Sequence, residues 1–174
     1  MITIISGTNR PNSNARLISS IYAELLQQRA ITHQILDLME VPADFITTAL
    51  YGNSGKNPAF NKLISMIENS DKFIFIVPEY NGSFPGILKT FIDGLSYPNS
   101  FRNKKAALVG ISTGTQGGAL ALSHLTDVLN YMGMHVLAAK PRLMHIHKNM
   151  EAGRFTNNLY LDLLHQQLEQ FITF

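Results

Sequence analysis

The chain has 174 residues, 45% hydrophobic and 15% charged, with a net charge of +2, an ordinary composition that suits one domain with a single core. Cysteine is absent, which excludes a disulfide framework and a thiolate nucleophile and fits the cytoplasm. No apolar run approaches the ~18 residues of a membrane span, and Arg10, Arg16, Arg29, Lys104, Lys105, Lys140, Arg142 and Lys148 are scattered rather than gathered into a nucleic-acid-binding stripe.

The chain starts MITIISGTNR, with no basic segment before the apolar run and no small-residue cleavage site; no signal peptide is expected. Ile2 to Ser6 reads as a buried strand that stops at Gly7. Ile18, Ile21, Tyr22 and Leu25 repeat at helical spacing, with Ser13 or Asn14 as the cap. Ile35 to Leu38 is a second strand. From Val41 to about Pro58 no period is visible, and a long loop is expected. Its Phe45 and Tyr51 suggest that it borders a ligand. Phe60, Leu63, Ile64 and Ile67 mark a helix. Phe73 to Val77 is a continuous apolar run ended by Pro78, the pattern of a buried parallel strand. Pro85 is expected as the first residue of a helix through Leu88, Phe91, Ile92 and Leu95. Ala106 to Ile111 is a fourth strand. Leu122, Leu125, Val128, Leu129 and Met132 form a helix that Gly133 terminates. His135 to Ala139 is a fifth strand, and Leu161, Leu164, Leu168 and Phe171 give a last helix.

Strand and helix alternate about five times. That order implies an α/β three-layer sandwich, a parallel five-stranded sheet of order 2-1-3-4-5 with helices on both faces. Ligands of such sheets sit at the carboxyl ends of the strands, where the order reverses. Three loops end there. The first, Gly7 to Asn14, lies before a helix and carries Thr8, Arg10, Ser13 and Asn14. Bare amides at a helix start and a guanidinium fork suit a phosphate. It is neither a Walker loop nor a G-x-G-x-x-G fingerprint. The second, Pro78 to Gly86, holds Pro78, Glu79, Tyr80, Asn81, Gly82 and Ser83, with rings and rigid amides suited to a flat heterocycle. The third, Ser112 to Gly118, offers Ser112, Gly114, Gly117 and Gly118, whose N–H groups suit a carbonyl edge or a developing negative charge.

Together the loops resemble the NAD(P)H-dependent FMN reductase family, relatives of quinone, azo and chromate reductases. The family's phosphate loop G-[ST]-x-R-x-x-S appears as Gly7, Thr8, Arg10 and Ser13. Its flavin loop P-E-Y-N-x-S-x-P-G-x-L-K-x-x-I-D appears as Pro78, Glu79, Tyr80, Asn81, Ser83, Pro85, Gly86, Leu88, Lys89, Ile92 and Asp93. Its G-x-x-G-G element appears as Gly114, Gly117 and Gly118. The resemblance runs from Ile2 to about Val136 and rests chiefly on the second motif. It implies a flavodoxin-like fold, FMN as cofactor, NAD(P)H as co-substrate and a homodimer or homotetramer. It also implies roles by position: Thr8, Arg10, Ser13 and Asn14 on the phosphate, Glu79 to Gly82 along the isoalloxazine, and the third loop at the other edge. Two positions depart from the family pattern: Gly94 where many members have Trp, and Leu120 where many have Arg.

The implied chemistry is hydride transfer from NAD(P)H through FMN N5 to a small acceptor, in ping-pong order, with the Gly117 and Gly118 amides holding negative charge near N1 and C2=O. Three other readings of the residues compete. Gly110-Ile111-Ser112-Thr113-Gly114 matches the G-x-S-x-G of serine hydrolases, with Asp127 or Asp162 and His145, His147 or His165 as partners; that fold usually needs a longer chain. A flavodoxin-type electron carrier shares the fold but is typically acidic. His145 and His147 would lie on one face if this segment were a strand and could then hold a metal, but no third ligand is visible.

Overall fold

A computed structural model describes residues 1–174. Strand β1 (Ile2–Ser6) leads to α1 (Asn14–Gln28), β2 (His33–Asp37), a short helix α2 (Phe45–Thr48), α3 (Pro58–Glu68), β3 (Lys72–Pro78), α4 (Gly86–Asp93) and β4 (Lys105–Ile111). Then follow α5 (Ala119–Tyr131), β5 (His135–Val136), β6 (Arg142–Leu143), a small hairpin β7 (Met150–Glu151) and β8 (Arg154–Phe155), and α6 (Asn158–Thr173). The parallel sheet has the order β2-β1-β3-β4-β5, and β6 also pairs with β4. This is the flavodoxin-like arrangement.

Side chains alternate across a strand, and β3 shows what that does. Phe73, Phe75 and Val77 enter one core with α3, α4 and α5; Ile74 and Ile76 enter the other with α1 and α6. All five are fully buried, which explains an apolar run without polar gaps. At the far end of the sheet, lysines hold helix C-termini: Lys72 Nζ donates to the carbonyls of Phe171 and Ile172, and Lys104 Nζ to those of Ile67 and Glu68. Cations complement the negative end of the helix dipole. The positive N-terminal ends of α1 and α5 stand at the opposite edge of the sheet, beside the ends of β1 and β4.

Several expectations need correction. The stretch from Val41 to Pro58 is not a structureless loop. Phe45 is buried in α2 and stacks on Phe60 at 5.3 Å, and Phe60 meets Phe91 edge-on at 5.7 Å. Phe45 is therefore a core anchor rather than a ligand wall, while Tyr51 is exposed. The same aromatic cluster accounts for Gly94: a Cβ there would lie 2.6 Å from Phe60 Cζ, so no larger side chain fits without moving the ring. Pro85 caps α4, and Gly86 is its first residue.

Of the expected fifth strand, His135 to Ala139, only His135–Val136 is strand, and the edge resumes beyond it at Arg142–Leu143. Between the pairs Ala106↔Val136 and Gly110↔Arg142, β4 advances four residues and the edge strand six. The two extra residues form a bulge that bends this edge, and Pro141 has no N–H to offer. Leu137 N–H reaches Ala106 O and Gly110 N–H reaches Pro141 O, which leaves the Leu108 carbonyl between them without a strand partner. Gln167 of α6 fills the gap. Its Nε2 donates to Leu108 O and to Ala139 O, both at 2.9 Å, and its Oε1 accepts from the Tyr22 hydroxyl at 2.9 Å. Burial pushes the Tyr22 phenol far above its usual pKa, against a smaller opposing pull from Arg29, so it stays a donor.

Candidate functional site

The first loop leaves β1 and feeds α1. Ser13 is the cap: its backbone is extended and its Oγ accepts from the Arg16 N–H at 3.2 Å. The next two amides, Asn14 and Ala15, meet no acceptor within the chain, as the first turn of a helix requires. No acidic residue occupies that turn. Arg10 is exposed and takes part in no ion pair, whereas Arg16 Nε lies 3.3 Å from Asp37 Oδ2. Bare amides and one uncompensated guanidinium are chemistry suited to an anion.

Thr8 is fully buried and joins the first loop to the second. Its Oγ1 accepts from the Arg10 N–H at 3.3 Å and is hydrogen-bonded to the Tyr80 hydroxyl at 2.9 Å. Tyr80 thus ties the two loops together through its hydroxyl. Tyr80→Phe is expected to weaken binding of a phosphate-bearing ligand about fivefold, the worth of one neutral hydrogen bond; titration of FMN fluorescence checks this, and an unchanged affinity would remove Tyr80 from the account.

Asn81 and Gly82 form the tip of a tight hairpin. Both have positive φ, 52° and 75°, and Tyr80 and Ser83 exchange backbone hydrogen bonds of 2.8 and 3.1 Å. Asn-Gly is the favoured pair for such a two-residue turn. Ser83 Oγ is hydrogen-bonded to His124 Nδ1 at 2.9 Å, which ties the hairpin to α5. Glu79 donates its N–H to Ile111 O at 3.0 Å. Its Oε2 is buried and has no partner, which is rare for a buried oxygen.

The third loop is closed by its own serine. Ser112 Oγ donates to Gly114 O at 3.1 Å and accepts from the Gly117 N–H at 3.0 Å. Two expectations change with this. The Gly117 amide already has an acceptor, so it is not free to hold charge on a ligand. Ser112 has no histidine within hydrogen-bond reach, which removes the geometry a serine nucleophile needs. His145 Nδ1 bonds Thr113 O at 3.1 Å, and the His145 and His147 rings lie 6.4 Å apart, edge to face. No group of three His, Cys, Asp or Glu side chains stands at metal-ligand spacing.

These loops enclose a cleft of about 530 Å³, a size typical of cofactor sites. Of the residues singled out from sequence, Thr8, Arg10, Ser13, Asn14, Pro78, Glu79, Tyr80 and Ser112 line it together. Asn81, Gly82, Ser83, Gly114, Gly117 and Gly118 lie beyond its walls, in the turn tip and the outer part of the third loop. Sequence reasoning does not place Ile111, Thr113, Ile146 and His147 in this cleft, and they also line it; it reads His147 only as a triad partner or a metal ligand. Thr113 sits inside a loop already singled out. His147 comes from a 3₁₀ turn, Ile146–Lys148, rather than a strand, far along the chain, and no local pattern ties it to the first loop.

Comparison with known proteins follows the same lines. A family model described as NADPH-dependent FMN reductase matches residues 1–146. An NAD(P)H-dependent FMN reductase of Pseudomonas aeruginosa is 36% identical over 121 residues, 66% of this chain and 64% of that one. A probable NADPH:quinone oxidoreductase of Oryza sativa is 29% identical over 139 residues, 78% of this chain and 67% of its own. The matched region therefore spans about two thirds of the length of these two relatives. Among solved structures, the flavoenzyme NAD(P)H:acceptor oxidoreductase FerB of Paracoccus denitrificans superposes with a TM-score of 0.80 at 26% identity, over 99% of this chain and 94% of FerB.

Proposed function

The chain belongs to the NADPH-dependent FMN reductase family, and on that premise we propose that it is an FMN-dependent oxidoreductase that passes hydride from NAD(P)H to a small acceptor, a quinone, a free flavin or an azo compound. The observation that carries the reading is the cleft itself. Its phosphate end has unpartnered amides, a capping serine and an uncompensated Arg10, while its inner wall holds a buried carboxylate oxygen with no acceptor role yet filled. FMN fits this donor and acceptor set: a dianionic phosphate at one end, and ribityl hydroxyl and ring N–H donors beyond it. When bound, FMN supplies hydride chemistry that no side chain of this protein can perform.

The protein's own residues then bind and orient. Asn14 and Ala15 amides, Ser13 and Arg10 hold the phosphate. The Thr8–Tyr80 hydrogen bond fixes the first loop against the second. Glu79 Oε2 accepts from a ligand donor, and the Asn81-Gly82 tip and third loop frame the open side. The nicotinamide and the acceptor use that one open side in turn, so initial-rate plots at varied acceptor are expected as parallel lines.

The same reading includes a cytoplasmic location, where NAD(P)H is regenerated, and a homodimer. No helix is long and apolar enough to cross a membrane. For the dimer, Tyr97 and Tyr131 are 62% and 78% exposed yet stacked at 6.1 Å, beside a groove of about 290 Å³ that includes Ile92, Leu95 and Met132. Such exposed aromatic surface suits a subunit contact. Tyr131→Glu is expected to weaken self-association at least 100-fold, since an unpaired buried carboxylate costs several kcal/mol; sedimentation velocity at micromolar concentration reads this directly, and an unaltered dimer places the contact elsewhere.

The function is tested by incubating the protein with FMN, desalting, and adding NADPH or NADH without oxygen. Flavin absorption that is retained and then bleaches is the expected result. Bands that persist with both nucleotides would favour an electron carrier, and loss of flavin on desalting would overturn the reading.

A further inference from the structure

We infer that His147 is a phosphate-binding residue of the cleft, and that it makes the site prefer a phosphorylated flavin over the unphosphorylated form. The inference rests on the FMN reading above and adds a residue to it. His147 lies one position past the residues that the family model matches, so family membership does not assign it a role.

The first observation is position. His147 lines the cleft with Arg10, Ser13 and Asn14. The segment that carries it runs along α1 from its start. His147 shares the cleft wall with Asn14 and Ala15, Gly153 stands over the Leu17 side chain, and Arg154 is paired with Glu24 at 2.5 Å. That path puts His147 at the α1 N-terminus, the phosphate end, rather than beside the Asn81-Gly82 hairpin.

The second observation is how firmly the turn is held. His145 N–H donates to Gly114 O at 3.1 Å, Ile146 N–H to Ser112 O at 3.0 Å, and Ser112 N–H to Leu143 O at 3.1 Å. His145 Nδ1 adds the bond to Thr113 O, and Ile146 is buried. His145 itself has a φ of +46°, a left-handed conformation that is uncommon for a residue with a side chain. A strained residue persists only where its surroundings over-determine it, and such residues gather at binding sites. Here the tethers to the third loop hold His145 in place, and the turn that follows delivers His147 to the cleft.

The third observation is that the His147 ring is free. It is exposed and forms no hydrogen bond within the chain. The charged or titratable groups around it are Arg10, Glu79 and Tyr80 across the cleft, and His145 and Lys148 on its own segment. Arg10 is unpaired and the Asn14 and Ala15 amides are bare at this end of the cleft, so an anion there would meet them together with the imidazole. An imidazole N–H is a directional donor that matches a phosphate oxygen.

The test uses the full chain and its His147→Ala and His147→Gln variants, with FMN and riboflavin affinities read by quenching of flavin fluorescence. His147→Ala is expected to weaken FMN about tenfold and leave riboflavin unchanged, and His147→Gln, which keeps a donor, to recover part of the loss. His147 is exposed, so neither substitution touches the core; should the alanine variant not fold, the glutamine variant carries the same comparison. Equal losses for both flavins would mean a packing role and overturn the inference, as would an unchanged FMN affinity. A wild-type chain that binds neither flavin would instead overturn the FMN reading on which the inference stands.

Discussion

Replacing Arg10 with Ala is expected to lower FMN affinity by about 10- to 100-fold and to leave riboflavin binding unchanged. The range is that of one or two charge-assisted hydrogen bonds. Arg10 is the cleft's one guanidinium, and no carboxylate compensates it. Arg16 does not take its place, because Asp37 holds it. Binding is weakened rather than abolished, since the Asn14 and Ala15 amides and the Ser13 cap remain. Two further readings separate this role from a structural one. Arg10→Lys restores only part of the affinity, because an ammonium is a point charge without the planar fork. The wild-type advantage also shrinks with added salt, because Arg10 is exposed and its field is screened over ~10 Å at 0.1 M. A fluorescence titration in which Arg10→Ala binds FMN as the wild type does would place the phosphate elsewhere.

Gln167→Leu is expected to destabilise the fold by about 3–5 kcal/mol, a fall of about 10 °C in Tm for a chain of this size. Leucine has nearly the right volume, so the cost is not a cavity. It comes from the buried Leu108 carbonyl and Tyr22 hydroxyl and the half-buried Ala139 carbonyl, all left without partners. Each costs roughly 1–3 kcal/mol, partly offset by the apolar surface leucine buries. Gln167→Glu does no better, because it replaces the donor facing two carbonyls with an acceptor. Tyr22→Phe removes only one bond and costs about 1 kcal/mol. Urea denaturation of the three variants gives the order; if Gln167→Leu equals wild type, the edge bulge does not depend on this side chain.

The two variants differ in how visible their residues are in the sequence. Arg10 sits in a polar turn between a buried strand and a helix, and both its loop and its chemistry are local properties. Gln167 looks like any surface residue of a helix, and its partners are 28, 59 and 145 positions away. The flavin-loop motif names Tyr80, but its bond to Thr8 spans 72 positions. Phe45 misleads for the same reason. In a stretch without period it reads as a loop aromatic, and only the approach of Phe60 makes it core.

The sequence by itself determined the alternation of strands and helices, the parallel order of the sheet and the three loops at its carboxyl end. Hydrophobic period and turn chemistry are short-range properties, and the connection rules for parallel strands leave few topologies. Only the tertiary structure decided the rest. It bulges the last strand between Val136 and Arg142, turns the Gly117 amide onto Ser112, leaves Glu79 Oε2 buried without a partner and brings His147 into the cleft that the first loop lines. Each of these depends on which distant segment satisfies a buried polar group or fills a space, and that is settled when the layers pack.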